Sequence, residues 1–163
     1  MNKIKSENIT KVYSENVVAI ENVNIEIEEK EIVVIFGPSG SGKTTLLNIF
    51  GLLDKPTKGN LFFNGELLNN IGERQAAEIR NKKFGFIFQF YHLLPELSLL
   101  ENVMTPLMIR HSIFSYWAKR REIREAAMDI INQVGLGHRI KHRPSELSGG
   151  EMQRGAIARA LVG

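Results

Sequence analysis

A chain of 163 residues, 43% hydrophobic and 24% charged, fits one globular domain with a core of ordinary size. No apolar run is long enough to cross a bilayer, and the opening MNKIKSENIT lacks the apolar stretch of a signal peptide, so the expected compartment is the cytoplasm. The absence of cysteine excludes disulfides, thiolate zinc sites and cysteine nucleophiles, and 21 basic against 18 acidic residues leave a net charge of +3, too near balance to require a nucleic-acid partner.

In chain order, VNIEIEE alternates Val23, Ile25 and Ile27 with Asn24, Glu26 and Glu28, which predicts a strand with one wet face. EIVVIF (31–36) is mostly apolar and runs into Gly37, which predicts a strand buried on both faces, as in a parallel α/β sheet. A glycine-rich loop follows, and KTTLLNIFGLL predicts a helix. DKPTKG (54–59) is turn chemistry, and NLFFNG is a short strand closing on the tight-turn pair Asn64-Gly65. FGFIFQ (84–89) predicts a second buried strand.

The character then turns helical. Ser98 is placed to cap LLENVMTPLMIR, with Pro106 expected to break or kink that helix. A longer helix starts at Ser115, with Ile123, Ala127, Ile130, Ile131 and Val134 at helical spacing and Gly135 as its stop. Its basic cluster, Lys119, Arg120, Arg121 and Arg124, is interleaved with Glu122 and Glu125 and reads as a solvated face. GLGHRIKHRPSE is a loop, and a last helix is expected from near Glu151 to the chain end.

The pattern G-x-x-x-x-G-K-[ST] is met by Gly37, Gly42, Lys43 and Thr44 within GPSGSGKTT. Its spacing suits a triphosphate. The backbone N–H groups of Gly37, Pro38–Ser41 and the following helix start form a nest around phosphate oxygens, proline excepted. Gly37, Gly40 and Gly42 keep the concave side bare. Lys43 reaches the β- and γ-phosphates, and the Thr44 hydroxyl is a hard ligand suited to Mg²⁺, with Thr45 beside it. The motif follows a predicted strand and opens a predicted helix, as this chemistry requires. The motif alone does not fix the nucleotide.

LSGGEMQR (147–154) resembles the signature sequence of the ATP-binding cassette (ABC) ATPases. On its own terms, Ser148 offers a hydroxyl, and Gly149 and Gly150 offer unencumbered N–H groups at a helix start, where the dipole favours an anion. The resemblance covers residues 3–163 or so and implies further roles. Tyr13 matches the aromatic that stacks on adenine, with Val18 packing nearby, and Gln89 matches the glutamine that touches Mg²⁺ or the attacking water. It implies ATP and Mg²⁺ as ligands, and a homodimer in which each ATP lies between one phosphate loop and the other protomer's Ser148–Glu151. FQFYHLLPELSLLENVMTPLMI is similar to the lipoprotein-releasing, LolD-type branch and its macrolide-exporter and cell-division relatives. There, Phe90, Tyr91, Leu93 and Leu94 would meet a membrane permease or pack the chain's own helices; a permease partner places the protein on the inner face of the membrane.

The implied fold is an α/β P-loop NTPase of the RecA-like, ABC type. It divides into a β subdomain and P-loop core (1–89), a helical subdomain (90–145) and the signature region (146–163), without the core strands that follow in the family. The implied magnesium-binding aspartate, water-polarising glutamate and switch histidine find no match. Asp54 lies in turn chemistry and Asp129 in a helix pattern, and His92, His111, His138 and His142 all precede the signature. The expected activity is therefore ATP binding that drives a transporter, with hydrolysis deficient in these residues alone and the faces of EIVVIF and FGFIFQ exposed. A catalytically incompetent nucleotide-binding fragment and a soluble, non-transport ABC ATPase are the competing readings.

Overall fold

The alternation in VNIEIEE does yield a strand. In the computed structural model, which describes residues 3–14, 17–111 and 113–163, β1 (Ile4–Val12) pairs antiparallel with β2 (Val18–Ile27). Ile20 of β2 is buried, while Glu21, Asn22, Asn24 and Glu26 face solvent. On its other side β1 pairs antiparallel with β3 (Lys58–Phe63), and β3 turns through Asn64-Gly65 into the two-residue β4 (Glu66–Leu67). Both turn residues have positive φ, +54° and +83°, the geometry that this dipeptide favours. The sheet order is β2-β1-β3-β4. A Cβ at Gly59 would lie 2.3 Å from the Asn8 carbonyl oxygen, so glycine is what lets β3 approach β1 there. Ser6, buried in the middle strand, accepts the Ile25 N–H at 2.9 Å and so costs no unpaired group.

The chain separates into two compact units, residues 1–77 and 78–163. The first holds the sheet and α1 (Lys43–Phe50), whose Leu46, Ile49 and Phe50 are buried. A further helix, α2 (Glu73–Lys83), was not among the predicted elements. Its sequence ERQAAEIRNKK has almost no apolar periodicity and buries only Ala76, so the pattern leaves little to read. Its charges follow the helix dipole instead, with Glu73 in the first turn and Arg80, Lys82 and Lys83 in the last.

Two strand predictions need correction. Residues 31–36 and 84–89 form no ladder among the described residues, and the sheet that is present is antiparallel, not a parallel core. Their apolar faces are open, as expected of these residues alone: Ile32 is 92% and Phe36 88% exposed. Apolar runs of this kind become strands only against hydrogen-bonded neighbours on both sides, and no described strand flanks either one. Residues 84–88 keep a period of two nonetheless. Phe84, Phe86 and Phe88 stack at 6.2 and 5.9 Å on one side, Ile87 is exposed, and a Cβ on Gly85 would lie 2.4 Å from the Ala160 carbonyl oxygen.

The second unit packs α3 (Leu99–Ile109), α4 (Ile113–Gln133) and α5 (Gly149–Leu161) around Leu99, Val103, Ile131 and Leu136, none of which has measurable exposure. Ile123 and Ala127 join them as the spacing requires, and Gly135, at φ +73°, ends α4 in left-handed geometry. Gly155 lets α5 come close to α3, since a Cβ there would meet Leu99 Cδ1 at 2.8 Å. Pro106 does not break α3. The helix runs one turn past it, held by its buried face and by Asn81, which donates to the Pro106 carbonyl at 3.0 Å. Helices α4 and α5 also begin two residues earlier than expected.

Asn102 is the polar exception in this core, with no exposed surface. Its carboxamide oxygen accepts the Leu94 N–H at 2.7 Å, and its amide donates to the carbonyls of Leu94, Leu97 and Ser98 at 3.0–3.1 Å. It therefore pins the 94–98 segment to α3. The carbonyls of Leu94 and Ser98 keep the N–H groups of Leu97 and Asn102, so Asn102→Ala strips the Leu94 N–H and the Leu97 carbonyl of the side-chain partner and empties a fully buried site; it should cost about 2–3 kcal/mol in chemical denaturation. A loss below about 0.5 kcal/mol, the range of an ordinary surface change, contradicts the pinning role.

Candidate functional site

Residues 37–42 form a loop with two glycines in left-handed geometry, Gly40 at φ +80° and Gly42 at +85°. Gly42 is also the residue that heads α1, and a Cβ on it would stand 2.4 Å from both the Ala19 carbonyl oxygen and Ile20 Cγ2. No other residue fits there without moving β2 or the helix. A Cβ on Gly40 would meet nothing, so that glycine is required for its φ and not for packing. The loop closes on itself through Ser41 N–H to the Pro38 carbonyl at 3.3 Å. Lys43 folds back over it. Its ammonium donates to the carbonyls of Gly37 at 2.9 Å and Pro38 at 2.7 Å, and to Ser41 Oγ at 3.4 Å. Ser39 and Thr44 face solvent, and Thr45 follows, half-buried, in the first turn of α1.

Tyr13 lies past the end of β1, and its hydroxyl donates to Asp54 Oδ2 at 3.0 Å and stands 3.5 Å from Thr45 Oγ1. The structure thus brings Tyr13 to the phosphate-loop helix, which adjacency in sequence does not show. Val18 faces Val12 across the β1–β2 ladder, and it is 54% exposed beside Tyr13, itself 42% exposed. Sequence patterns missed Asp54 and Lys11 as parts of this corner. The signal was the turn sequence DKPT, whose aspartate reads as generic turn chemistry until its partners are known.

The signature segment forms the head of α5. Ser148 is its cap: the hydroxyl oxygen accepts the Glu151 N–H, and the Glu151 carboxylate accepts the Ser148 N–H at 2.8 Å. Glu151 also accepts from Arg139 Nε at 2.8 Å. The Ser148 backbone bond, then the Ser148 hydroxyl and Arg139, hold its carboxyl far below the usual 4.5, at about 2. Gly149 and Gly150 are exposed. A Cβ would find open space at the first and only the Arg154 guanidinium, 3.7 Å away, at the second. Nothing inside the unit demands glycine at these positions, in contrast to Gly42 and Gly155.

Gln89 is exposed just beyond the Phe84–Phe86–Phe88 stack. After it the backbone turns through positive φ at Tyr91 and His92, and Arg159 of α5 donates to both carbonyls. Asn102 and Arg159, neither carried by a motif, thus hold the segment that follows Gln89. Phe90 is 78% exposed and Leu94 43%, while Tyr91 and Leu93 are half-buried.

For a metal, Thr44 presents one hard oxygen, and among the described residues no group of three or more His, Cys, Asp or Glu could hold an ion unaided. The donor set fits an ion that arrives with most of its ligands already supplied, as on a nucleotide phosphate. No helix among the described residues is long and apolar enough to cross a membrane.

A family model described as ABC transporter matches residues 20–163. The lipoprotein-releasing system ATP-binding protein LolD of Psychrobacter arcticus is 47% identical over 162 residues, which cover 98% of this chain and 70% of that protein. The protein of the same description from Pseudomonas fluorescens is 49% identical over 148 residues, 91% of this chain and 63% of its own length. Among solved structures, the dimeric MJ0796, a bacterial ABC transporter cassette, matches with a TM-score of 0.86 at 42% identity, covering 98% of this chain and 69% of its own. Its post-hydrolysis form bound to ADP and Pi matches with the same TM-score at 41% identity.

Because the folded pKa of Glu151 is depressed, its contribution to the α5 head is full above pH 4.5 and is lost as pH falls toward about 2. Carboxyl NMR should find its titration midpoint near 2, and Arg139→Met or Ser148→Ala should raise that midpoint toward 4.5. A midpoint already at 4.5 in the unaltered chain contradicts the capping geometry.

Proposed function

Since the chain belongs to the ABC transporter ATP-binding family, we propose that it binds ATP as the nucleotide-binding subunit of a transporter, coupling binding and hydrolysis to export by a membrane permease, of the lipoprotein-release type or a close relative. One observation supports this above the rest. The Lys43 ammonium rests on two neutral carbonyls of its own loop, at the head of a helix. Phosphate oxygens carry full charge and accept stronger bonds than carbonyl dipoles, so a polyphosphate would draw the ammonium away from them. The loop of Gly37, Pro38, Ser39, Gly40, Ser41 and Gly42 would cradle the phosphates, and Thr44 and Thr45 would lie at the helix head. Mg²⁺, with Thr44 as one ligand, would supply charge neutralisation at the β- and γ-phosphates.

The bare head of α5 supports the second part of the reading. Glycines that internal packing does not need suit an approach from outside, so Ser148, Gly149, Gly150 and Glu151 would close on the nucleotide of a second copy. This gives a homodimer with ATP at its interface. The exposed Phe90 and Leu94 support a permease contact. They precede a groove of about 920 Å³ between α3 and α4 that is lined by Met104, Trp117, Arg120, Arg124 and Lys141 among others. A permease partner would place the protein in the cytoplasm, peripheral on the inner face of the membrane.

By themselves, without the further residues that the family's hydrolysis uses, these 163 residues are proposed to bind nucleotide without turning it over at a useful rate. The polarising glutamate and switch histidine that the family resemblance implies have no counterpart in them, and they span 63–70% of the length of the curated relatives described above. Lys43→Ala should weaken binding of a fluorescent ATP analogue at least about tenfold. Affinity retained within about twofold refutes the phosphate site. Phosphate release by the chain should stay at the Lys43→Ala background with Mg²⁺ present, and turnover that Lys43→Ala abolishes contradicts the deficiency.

A further inference from the structure

The turn at 54–57 is fastened to the end of β1 more heavily than a connection between elements needs. Thr57 N–H donates to the Thr10 carbonyl at 2.8 Å, and Thr57 Oγ1 accepts the Val12 N–H at 3.0 Å. Lys11 Nζ donates to Asp54 Oδ1 at 2.6 Å and to the Lys55 carbonyl at 2.8 Å. Oδ1 also accepts the Lys55 N–H at 2.7 Å, which leaves Oδ2 for the Tyr13 hydroxyl at 3.0 Å. Burial pushes the Asp54 carboxyl up, but the bonds from Lys11, Lys55 N–H and Tyr13 outweigh it and hold the group below its usual range. It is a carboxylate at neutral pH, an acceptor only, with its acceptor sites already facing these donors.

Tyr13 is thereby held at both ends. Its N–H donates to the Val17 carbonyl at 3.0 Å, and its hydroxyl is held by Asp54. The Lys11 ammonium stands 5.0 Å from the ring centroid. The ring is still 42% exposed, so the fastening does not serve to bury it. The hydroxyl also stands 3.5 Å from Thr45 Oγ1, which ties the ring's position to the helix that carries Lys43 and Thr44.

We propose that Asp54 is a positioning residue for nucleotide binding: by fixing the Tyr13 hydroxyl beside Thr45, it sets the tilt and distance of the ring so that the face away from Lys11 is ready to stack on a purine whose phosphates lie in the 37–44 loop. This rests on the reading of Tyr13 as the base-stacking surface. An unfastened tyrosine on a loop rotates about two side-chain bonds and must be ordered as the ligand binds; a fastened one has already lost that freedom. Lys11 serves the same end twice, as the counter-charge that keeps Asp54 ionised and as the cation against the ring.

The test separates the base from the phosphates. ATP and inorganic tripolyphosphate each compete with a fluorescent ATP analogue on the chain and on the variants Asp54→Ala, Tyr13→Phe, Tyr13→Ala and Asp54→Ala/Tyr13→Phe, with thermal melting to confirm folding. Asp54→Ala and Tyr13→Phe should each weaken ATP roughly fivefold and leave tripolyphosphate within about twofold, and the double variant should be no weaker than either single one. Equal losses for ATP and tripolyphosphate from Asp54→Ala, or losses that multiply in the double variant, overturn the proposal. If Asp54→Ala does not fold, Tyr13→Phe decides from the other end, and an unchanged ATP affinity overturns it. Tyr13→Ala reports on the reading beneath: unchanged ATP affinity there removes stacking itself, whereas a loss there with none in Asp54→Ala removes only the role of Asp54.

Discussion

The first unit depends on the close approach at Gly42. Its Cα stands where a side chain would collide with the Ala19 carbonyl and with Ile20, and its φ of +85° is one that other residues adopt only under strain. That single contact fixes where α1 begins relative to β2. The loop from Gly37 to Ser41 then has a set span to cross, and Lys43 a set point from which to reach back. Thr45, in the first turn of the helix, becomes the neighbour of the Tyr13 hydroxyl. Displacing Gly42 would disturb all of these together.

The two helix heads that carry the motifs are built in opposite ways. Helix α1 has no side-chain cap; its head is backbone, left-handed glycine and a lysine folded onto the loop. Helix α5 is capped by Ser148 and Glu151, with Arg139 bracing the carboxylate. An uncapped head keeps its N–H groups available for an anion, which suits a primary phosphate cradle. A capped head has its first turn closed by its own side chains and leaves its two glycines exposed, which suits contact with a ligand already held elsewhere. This division of labour is the one proposed above for the two motifs.

Within the second unit, polar side chains do the positioning that apolar packing cannot. Asn102 satisfies four backbone groups of the 94–98 segment, and Arg159 takes the carbonyls of Tyr91 and His92. The stretch after Gln89 is an irregular chain with exposed apolar side chains. It would have no fixed path without these bonds, because buried backbone groups must find partners and no ladder supplies them here.

Much of this was legible from the residues themselves. The phosphate loop, the Asn64-Gly65 turn, the Ser98 and Gly135 boundaries of the long helices and the head of α5 are local events, decided by φ preferences, capping chemistry and helical spacing within a few residues. Apolar character was legible at 31–36 and 84–89, but strand formation was not, because a ladder needs neighbours that a local pattern cannot supply. Helix α2 was illegible for the opposite reason, having almost no apolar face. What tertiary structure alone decided is the company each group keeps. Asp54 is a turn residue in the sequence. It becomes a fastening for Tyr13 only because antiparallel pairing brings the end of β1 against the turn before β3, some forty positions away. Local chemistry selects conformations, whereas contacts across such separations exist only once the sheet has paired.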